Sequence, residues 1–232
     1  MKISKKFYFI PLLFLLVIGF TTYALFRLGS FPIHAFGGGD GSQGSPYQIT
    51  SCTDFQAIST NTSAYYIVSN DFSCSGVTNW SQIDSFTGEI DGNDKTISDI
   101  NGQDISGIFS NLDGATVKDL NISNITINYP SNGIETGALS RTTGGGTTIT
   151  NVHILSGSVT GYNTTGGLVG NQEPDVTITN SSSAANVTGN NFVGGLIGTA
   201  KGPISGCSAS GVIYSTGVAV GGLIGSSAGV VS

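Results

Sequence analysis

From about residue 100 onward, apolar residues recur in short alternating runs, and Gly, Asn and Ser separate the runs. In Val176-Thr177-Ile178-Thr179 every second side chain is apolar, which is the period of a strand with one buried face. Three segments repeat almost unchanged: Gly166-Gly167-Leu168-Val169-Gly170, Gly194-Gly195-Leu196-Ile197-Gly198 and Gly221-Gly222-Leu223-Ile224-Gly225. Two looser copies precede them, Ser106-Gly107-Ile108-Phe109-Ser110 and Gly137-Ala138-Leu139-Ser140. The anchor positions Ile108, Leu139, Leu168, Leu196 and Leu223 are spaced by 31, 29, 28 and 27 residues.

Two further elements recur between the anchors. One is Val117 to Asn121, Ile149 to Val152, Ile178 to Ser181 and Ile204 to Cys207; the other is Gly157 to Gly161, Ala185 to Gly189 and Ser210 to Ile213. Each period therefore holds three short β-branched runs, which describes one coil of an all-β solenoid. A single coil cannot bury its apolar face, and stacking the coils supplies both a continuous core and parallel ladders along the axis. The five anchors are expected to form one internal column, with glycine supplying positive φ at the corners and room for close approach. The competing reading is an antiparallel sandwich with chance repetition of glycine.

The Gly-Gly-Leu-(Val/Ile)-Gly element, followed by Ile-x-(Asn/Gly)-(Ser/Cys) and a Val-x-Gly segment, resembles the GLUG repeats of bacterial surface proteins. The leading segments Gly44 to Ile49, Asp54 to Ile58, Tyr65 to Phe72 and Phe86 to Ile97 are similar to the part that precedes such repeats, so the resemblance runs over residues 37–232. It implies a right-handed parallel β-helix of the kind found in large secreted adhesins and surface-associated peptidases, and it leaves function open because the repeat is a scaffold. The leading part is expected to cap the first coil, whose edge would otherwise pair with other chains. Asp54 to Ser59 reads as a short helix over that end, with Ser51 or Thr53 near its N-terminus.

Met1 to Lys6 carries three lysines, and Phe7 to Phe26 is nearly all apolar. This is the pattern of a secretory signal or a signal anchor; its length of about 20 residues fits either. The chain divides accordingly into a signal or anchor (1–28), a Gly-rich linker (29–45), a cap with the first coils (46–100) and the repeats (101–232). Leu223 to Val231 repeats the spacing from Leu196 to Ile204, so the last residues read as the start of another coil, cut off mid-repeat. Either the sequence is part of a longer one, or the open edge associates end to end with another subunit. An exported body allows disulfides. Cys52 and Cys74 are the candidate pair, two free thiols being the alternative, and Cys207 is left over.

Composition narrows the function. The 35 glycines outnumber the 8 basic and 14 acidic residues taken together, which excludes long helices and bundles. Four of the eight bases lie in the first 27 residues, so the body keeps four bases against all 14 acids and lacks the basic patch that nucleic acid requires. After residue 136 the acids are Glu173 and Asp175 and the bases Arg141 and Lys201, too few for the paired carboxylates of a polysaccharide hydrolase or the base and cation of a lyase. No metalloprotease helix motif, nucleophile elbow or P-loop is present. Asp91, Asp94, Asp99 and Asp104 read as a solvated corner, with calcium as the alternative, and no other cofactor is implied. A threonine ladder for ice binding, from Thr148, Thr150, Thr177 and Thr179, breaks at Pro203 and Ser205. The expected role is therefore non-catalytic: a secreted or cell-surface solenoid that binds an extracellular glycan or protein, touching membrane only through its N-terminal segment. Tyr129, Tyr162 and Tyr214, read as loop residues, are the candidate ligand contacts.

Overall fold

The computed structural model describes residues 36–228. The chain divides into Met1–Ala35 and Phe36–Ser232. The first unit, and with it the signal or anchor segment, lies outside the described residues, as does the strand expected at the C-terminus. Among the described residues no helix is long and apolar enough to cross a membrane.

Phe36 to Ala228 winds into a parallel β-solenoid. One coil shows the path: Ser140–Gly144, Thr148–Ile154, Gly157–Thr160 and Thr165–Gly166 follow in order, and Val169–Gln172 then stacks on the first of them. Repetition of this path builds four ladders of 10, 5, 4 and 6 strands. The long face contains Glu89–Ser98, Thr116–Ser123, Thr148–Ile154 and Thr177–Thr179; the second face contains Ile125–Asn128, Gly157–Thr160, Asn186–Gly189 and Ile213–Ser215. Every pairing between these strands is parallel. The sandwich reading falls with that.

Each coil has four strands where three were expected. The fourth is the two-residue piece Thr136–Gly137, Thr165–Gly166, Val193–Gly194 or Val220–Gly221, too short to show a period of its own. The repeated glycine motif is thus the corner between two ladders. Its consecutive apolar residues, such as Leu168 and Val169, are both fully buried because the chain bends between them. The register Ser140↔Phe109, Ser140↔Val169, Val169↔Ile197 and Ile197↔Ile224 places Ile108, Leu139, Leu168, Leu196 and Leu223 one above another. The first four are fully buried, and Leu223 is half-buried on the last described coil.

Glycine performs both expected tasks, but at different positions: Gly114, Gly145 and Gly206 take positive φ, and the glycines of the repeated motif permit close approach. Gly166 and Gly167 do not need positive φ; a Cβ on Gly166 would stand 2.6 Å from the Gly198 backbone nitrogen, and one on Gly167 would stand 2.1 Å from the Gly195 carbonyl oxygen. They are glycine because the next coil is already there. Left-handed positions along the long face fall to Asp119, Asn151 and Asn180, with φ of 51°, 55° and 49°, which stand in register. Asn and Asp adopt this conformation at lower cost than other side chains.

At the N-terminal end Phe36 to Gly38 pairs with the outer edge of Tyr47–Ile49 through Gly37 N–H to the Gln48 carbonyl and Gln48 N–H to that of Gly38, at 3.0 and 2.9 Å. The helix Cys52–Ala57 packs on the same strand with Phe55 buried. It begins two residues earlier than expected because Ser51, not Thr53, caps it: its Oγ accepts from the Asp54 N–H at 3.2 Å. The Asp54 carboxylate reaches back to the Thr50 N–H and hydroxyl at 2.9 and 2.7 Å, reinforcing the turn. Phe55 and Trp80, with ring centroids 5.1 Å apart, and Tyr66, Phe86 and Phe109 fill the wide end where the narrow aliphatic column has not yet begun. Cys52 and Cys74 form a disulfide that ties the helix to the first complete coil.

Candidate functional site

With the interior occupied by aliphatic side chains, any site must lie on the outer faces. Outward residues on neighbouring coils stand about 4.8 Å apart, close enough for like side chains to bond along the axis. Lys118 on the long face holds Glu89 at 2.7 Å and Asp91 at 3.3 Å. The hydrogen bond to Glu89, with the charge of Asp91, pushes the Lys118 ammonium above its ordinary pKa. Beside it, Asn151 Nδ2 donates to Asp119 Oδ1 at 2.7 Å, and Asn151 Oδ1 lies 2.9 Å from His153 Nε2. Because that oxygen only accepts, Nε2 carries the proton. His153 Nδ1 then accepts from the Ser182 hydroxyl at 2.8 Å. Both ring nitrogens are thereby engaged within the ladder.

The acids read as a solvated corner are drawn into the same lateral bonding. Asp99 accepts from Ser73 Oγ at 2.6 Å, Ser98 Oγ at 2.8 Å and Asn124 Nδ2 at 2.7 Å. The bonds from Asn124, Ser73 and Ser98 hold its carboxyl below the ordinary value of 3.8. Asp91 Oδ1 accepts from the Asn93 N–H at 2.8 Å. Asp94 and Asp104 occupy left-handed positions, with φ of 56° and 60°. Among the described residues no three His, Cys, Asp or Glu side chains come together in a way that could hold a metal ion.

The lowered pKa of Asp99 gives a pH prediction with a definite sign. A carboxyl whose pKa is lower in the folded than in the unfolded chain stabilises the fold fully above 3.8 and loses that contribution as pH falls through its folded value. Asp99→Asn is therefore expected to flatten the stability profile below pH 3.8 while leaving its shape near neutrality unchanged. Thermal midpoints measured from pH 2 to 7 check this, and an unaltered acid limb would refute it.

At the end of the ladder that contains Val169–Gln172 and Ile197–Ala200, Glu173 accepts from Lys201 Nζ and Asn171 Nδ2, both at 2.8 Å, which lowers its carboxyl pKa. Neighbouring Asp175 accepts from the Gly146 N–H at 2.9 Å. Cys207 is a half-buried free thiol whose pKa is pushed up by that burial.

The three candidate tyrosines all belong to the second face or the corner after it. Tyr129 and Tyr162 are half-buried just beyond Asn128 and Thr160. Tyr214 is not a loop residue: it lies on strand Ile213–Ser215, in register with Thr188, and is 61% exposed. The sequence reading did not anticipate the chain of amides beside them. Asn163 Nδ2 donates to Asn132 Oδ1 at 2.7 Å, and Asn191 Nδ2 donates to Asn163 Oδ1 at 3.2 Å. The signal was present in part, since Asn163 and Asn191 each precede the first glycine of their motif by three residues.

An apolar core, four parallel ladders and outer faces of laterally bonded polar side chains define a parallel β-solenoid. Residues 49–156 match the family described as M26 IgA1-specific metallo-endopeptidase N-terminal region. Halomucin of Haloquadratum walsbyi (strain DSM 16790 / HBSQ001) is 36% identical over 208 residues, which is 81% of this chain and 2% of halomucin. The solved structure of an IgA1 protease superposes with a TM-score of 0.63 at 25% identity, over 78% of this chain and 15% of that one. These matches go against the expectation that the protein is not an enzyme: the chain is similar to the N-terminal region of a metallo-endopeptidase and to part of an IgA1 protease.

Proposed function

We propose that this solenoid is a surface module of an exported, protease-related protein, in which it presents a polar outer face to an extracellular glycan or protein. The match of residues 49–156 to the N-terminal region of an IgA1-specific metallo-endopeptidase carries the reading. The GLUG-like repeats and the N-terminal signal or anchor pattern agree with a surface location. So does the Cys52–Cys74 bridge, which persists in oxidising compartments. The laterally bonded ladders suit the task because they fix outward side chains on a rigid support before any partner arrives, which lowers the entropy lost on binding.

The partner is sought with the full chain immobilised, using a glycan array and immunoglobulin A1, the protein named in the matching family. Binding of one of these is expected, and simultaneous replacement of Tyr129, Tyr162 and Tyr214 by Ala is expected to weaken it about tenfold or more. Failure to bind either kind of partner, or binding that survives the triple replacement, would overturn the tyrosine-lined surface.

A further inference from the structure

Among the described residues nine side-chain-bearing positions have positive φ; eight are Asn or Asp, and the ninth is Phe192, with φ of 44°. A bulky side chain in this conformation is strained in a way that Asn largely avoids. Burial does not offset that strain, since Phe192 is 39% exposed. Its ring therefore remains at a strained corner, partly in water, where the fold itself would favour Asn or Gly. Strained residues of this kind cluster at ligand clamps and switch regions.

The surroundings set the chemistry available at this corner. Phe192 follows Asn191, the last member of the chain of amides Asn132–Asn163–Asn191. Tyr162 precedes Asn163 on the coil below, and its carbonyl accepts from the Asn190 N–H. The corner thus carries an amide beside an aromatic residue on two successive coils, in opposite order: Tyr162 before Asn163, and Phe192 after Asn191. Each bonded amide uses one of its two N–H groups, so Asn163 and Asn191 each keep a second donor. The nearby charges, Glu135 and Arg141, lie 3.5 Å apart and neutralise each other. Aromatic faces meet the C–H faces of sugar rings, amides meet their hydroxyls, and the coil repeat of about 4.8 Å is close to the length of one sugar in an extended chain.

We infer that the ridge formed by Asn132, Tyr162, Asn163, Asn191 and Phe192 binds a neutral polysaccharide strand running along the solenoid axis. This rests on the surface-module reading and narrows it to one ligand class and one corner.

The test uses the full chain and neutral oligosaccharides of hexose and N-acetylhexosamine units, with uronate oligosaccharides and immunoglobulin A1 in parallel. Wild-type protein is expected to retain neutral oligosaccharides. Phe192→Asn is expected to lose at least about tenfold in affinity while its thermal midpoint stays level or rises, a combination that a structural role for the ring would not give. Asn163→Ala, at an exposed link of the amide chain, is expected to weaken binding with the fold intact. Wild-type affinity in Phe192→Asn overturns the ridge. If that variant instead loses its midpoint together with binding, Phe192 belongs to the fold, and wild-type affinity in Asn163→Ala then overturns the ridge. Binding of uronate chains or immunoglobulin A1 without neutral sugars overturns this inference and leaves the surface module standing; binding of none of them removes both.

Discussion

Leu168→Ala is expected to cost about 4 kcal/mol, read as a shift in the denaturation midpoint at unchanged slope. Leu168 sits in the middle of the anchor column, between Leu139 and Leu196, and all three are fully buried. The loss has two parts: the transfer free energy of the deleted carbons and the cavity left behind. The cavity term is near its upper range here because the walls cannot close. Leu139 N–H donates to the Leu168 carbonyl and Leu168 N–H to that of Leu196, at 2.9 and 2.8 Å, so the backbone on both sides is fixed by its own ladder. Leu155→Ala, at an exposed position, is the control and is expected to change stability by less than about 0.5 kcal/mol. A loss below about 1 kcal/mol at Leu168 would mean that neighbouring coils can collapse into the gap.

The second large effect belongs to the cap. Replacing both Cys52 and Cys74 by Ser is expected to remove about 3 kcal/mol, because the bridge closes a 22-residue loop and so restricts the unfolded chain. The loss is expected to be local in a fold whose coils contact only their neighbours. Amide exchange should accelerate over Tyr47–Ile49, Cys52–Ala57 and Tyr65–Val68 and change little beyond Thr116–Ser123. Stability measured with and without reductant checks the size, and exchange resolved along the chain checks the place. Uniform acceleration across all coils would show that the cap is coupled to the whole stack.

The repeat was legible because its signal is local: the same glycines and leucine return at nearly constant spacing, and nothing else explains them. What escaped notice depended on register between coils of unequal length. Asn132 meets Asn163 across 31 residues and Asn191 meets Asn163 across 28, so no single period lines up all three. Glycine propensity accounts for left-handed positions such as Gly114, Gly145 and Gly206, but not for those of Asp119, Asn151 and Asn180 along the long face, and it does not separate these glycines from Gly166 and Gly167, which serve close packing. Phe192 was invisible for the opposite reason, since no propensity places an aromatic residue at positive φ. The likeness to a metallo-endopeptidase also lay beyond motif reading: residues 49–156 hold one histidine, His153, and the resemblance resides in the scaffold.

The bridge between Cys52 and Cys74 has a mechanical consequence. The ladders of this solenoid run along its axis, so tension between its two ends loads their hydrogen bonds one rung after another and peels coils from the end. A pull from the N-terminal side reaches Cys52, crosses the sulfurs to Cys74 and bypasses the stretch of chain between them, a sequence separation of 22. About 75 Å of contour is thereby withheld from extension. The covalent link thus keeps the cap helix and the Tyr65–Val68 strand out of the extensible length, and only the chain after Cys74 can peel away.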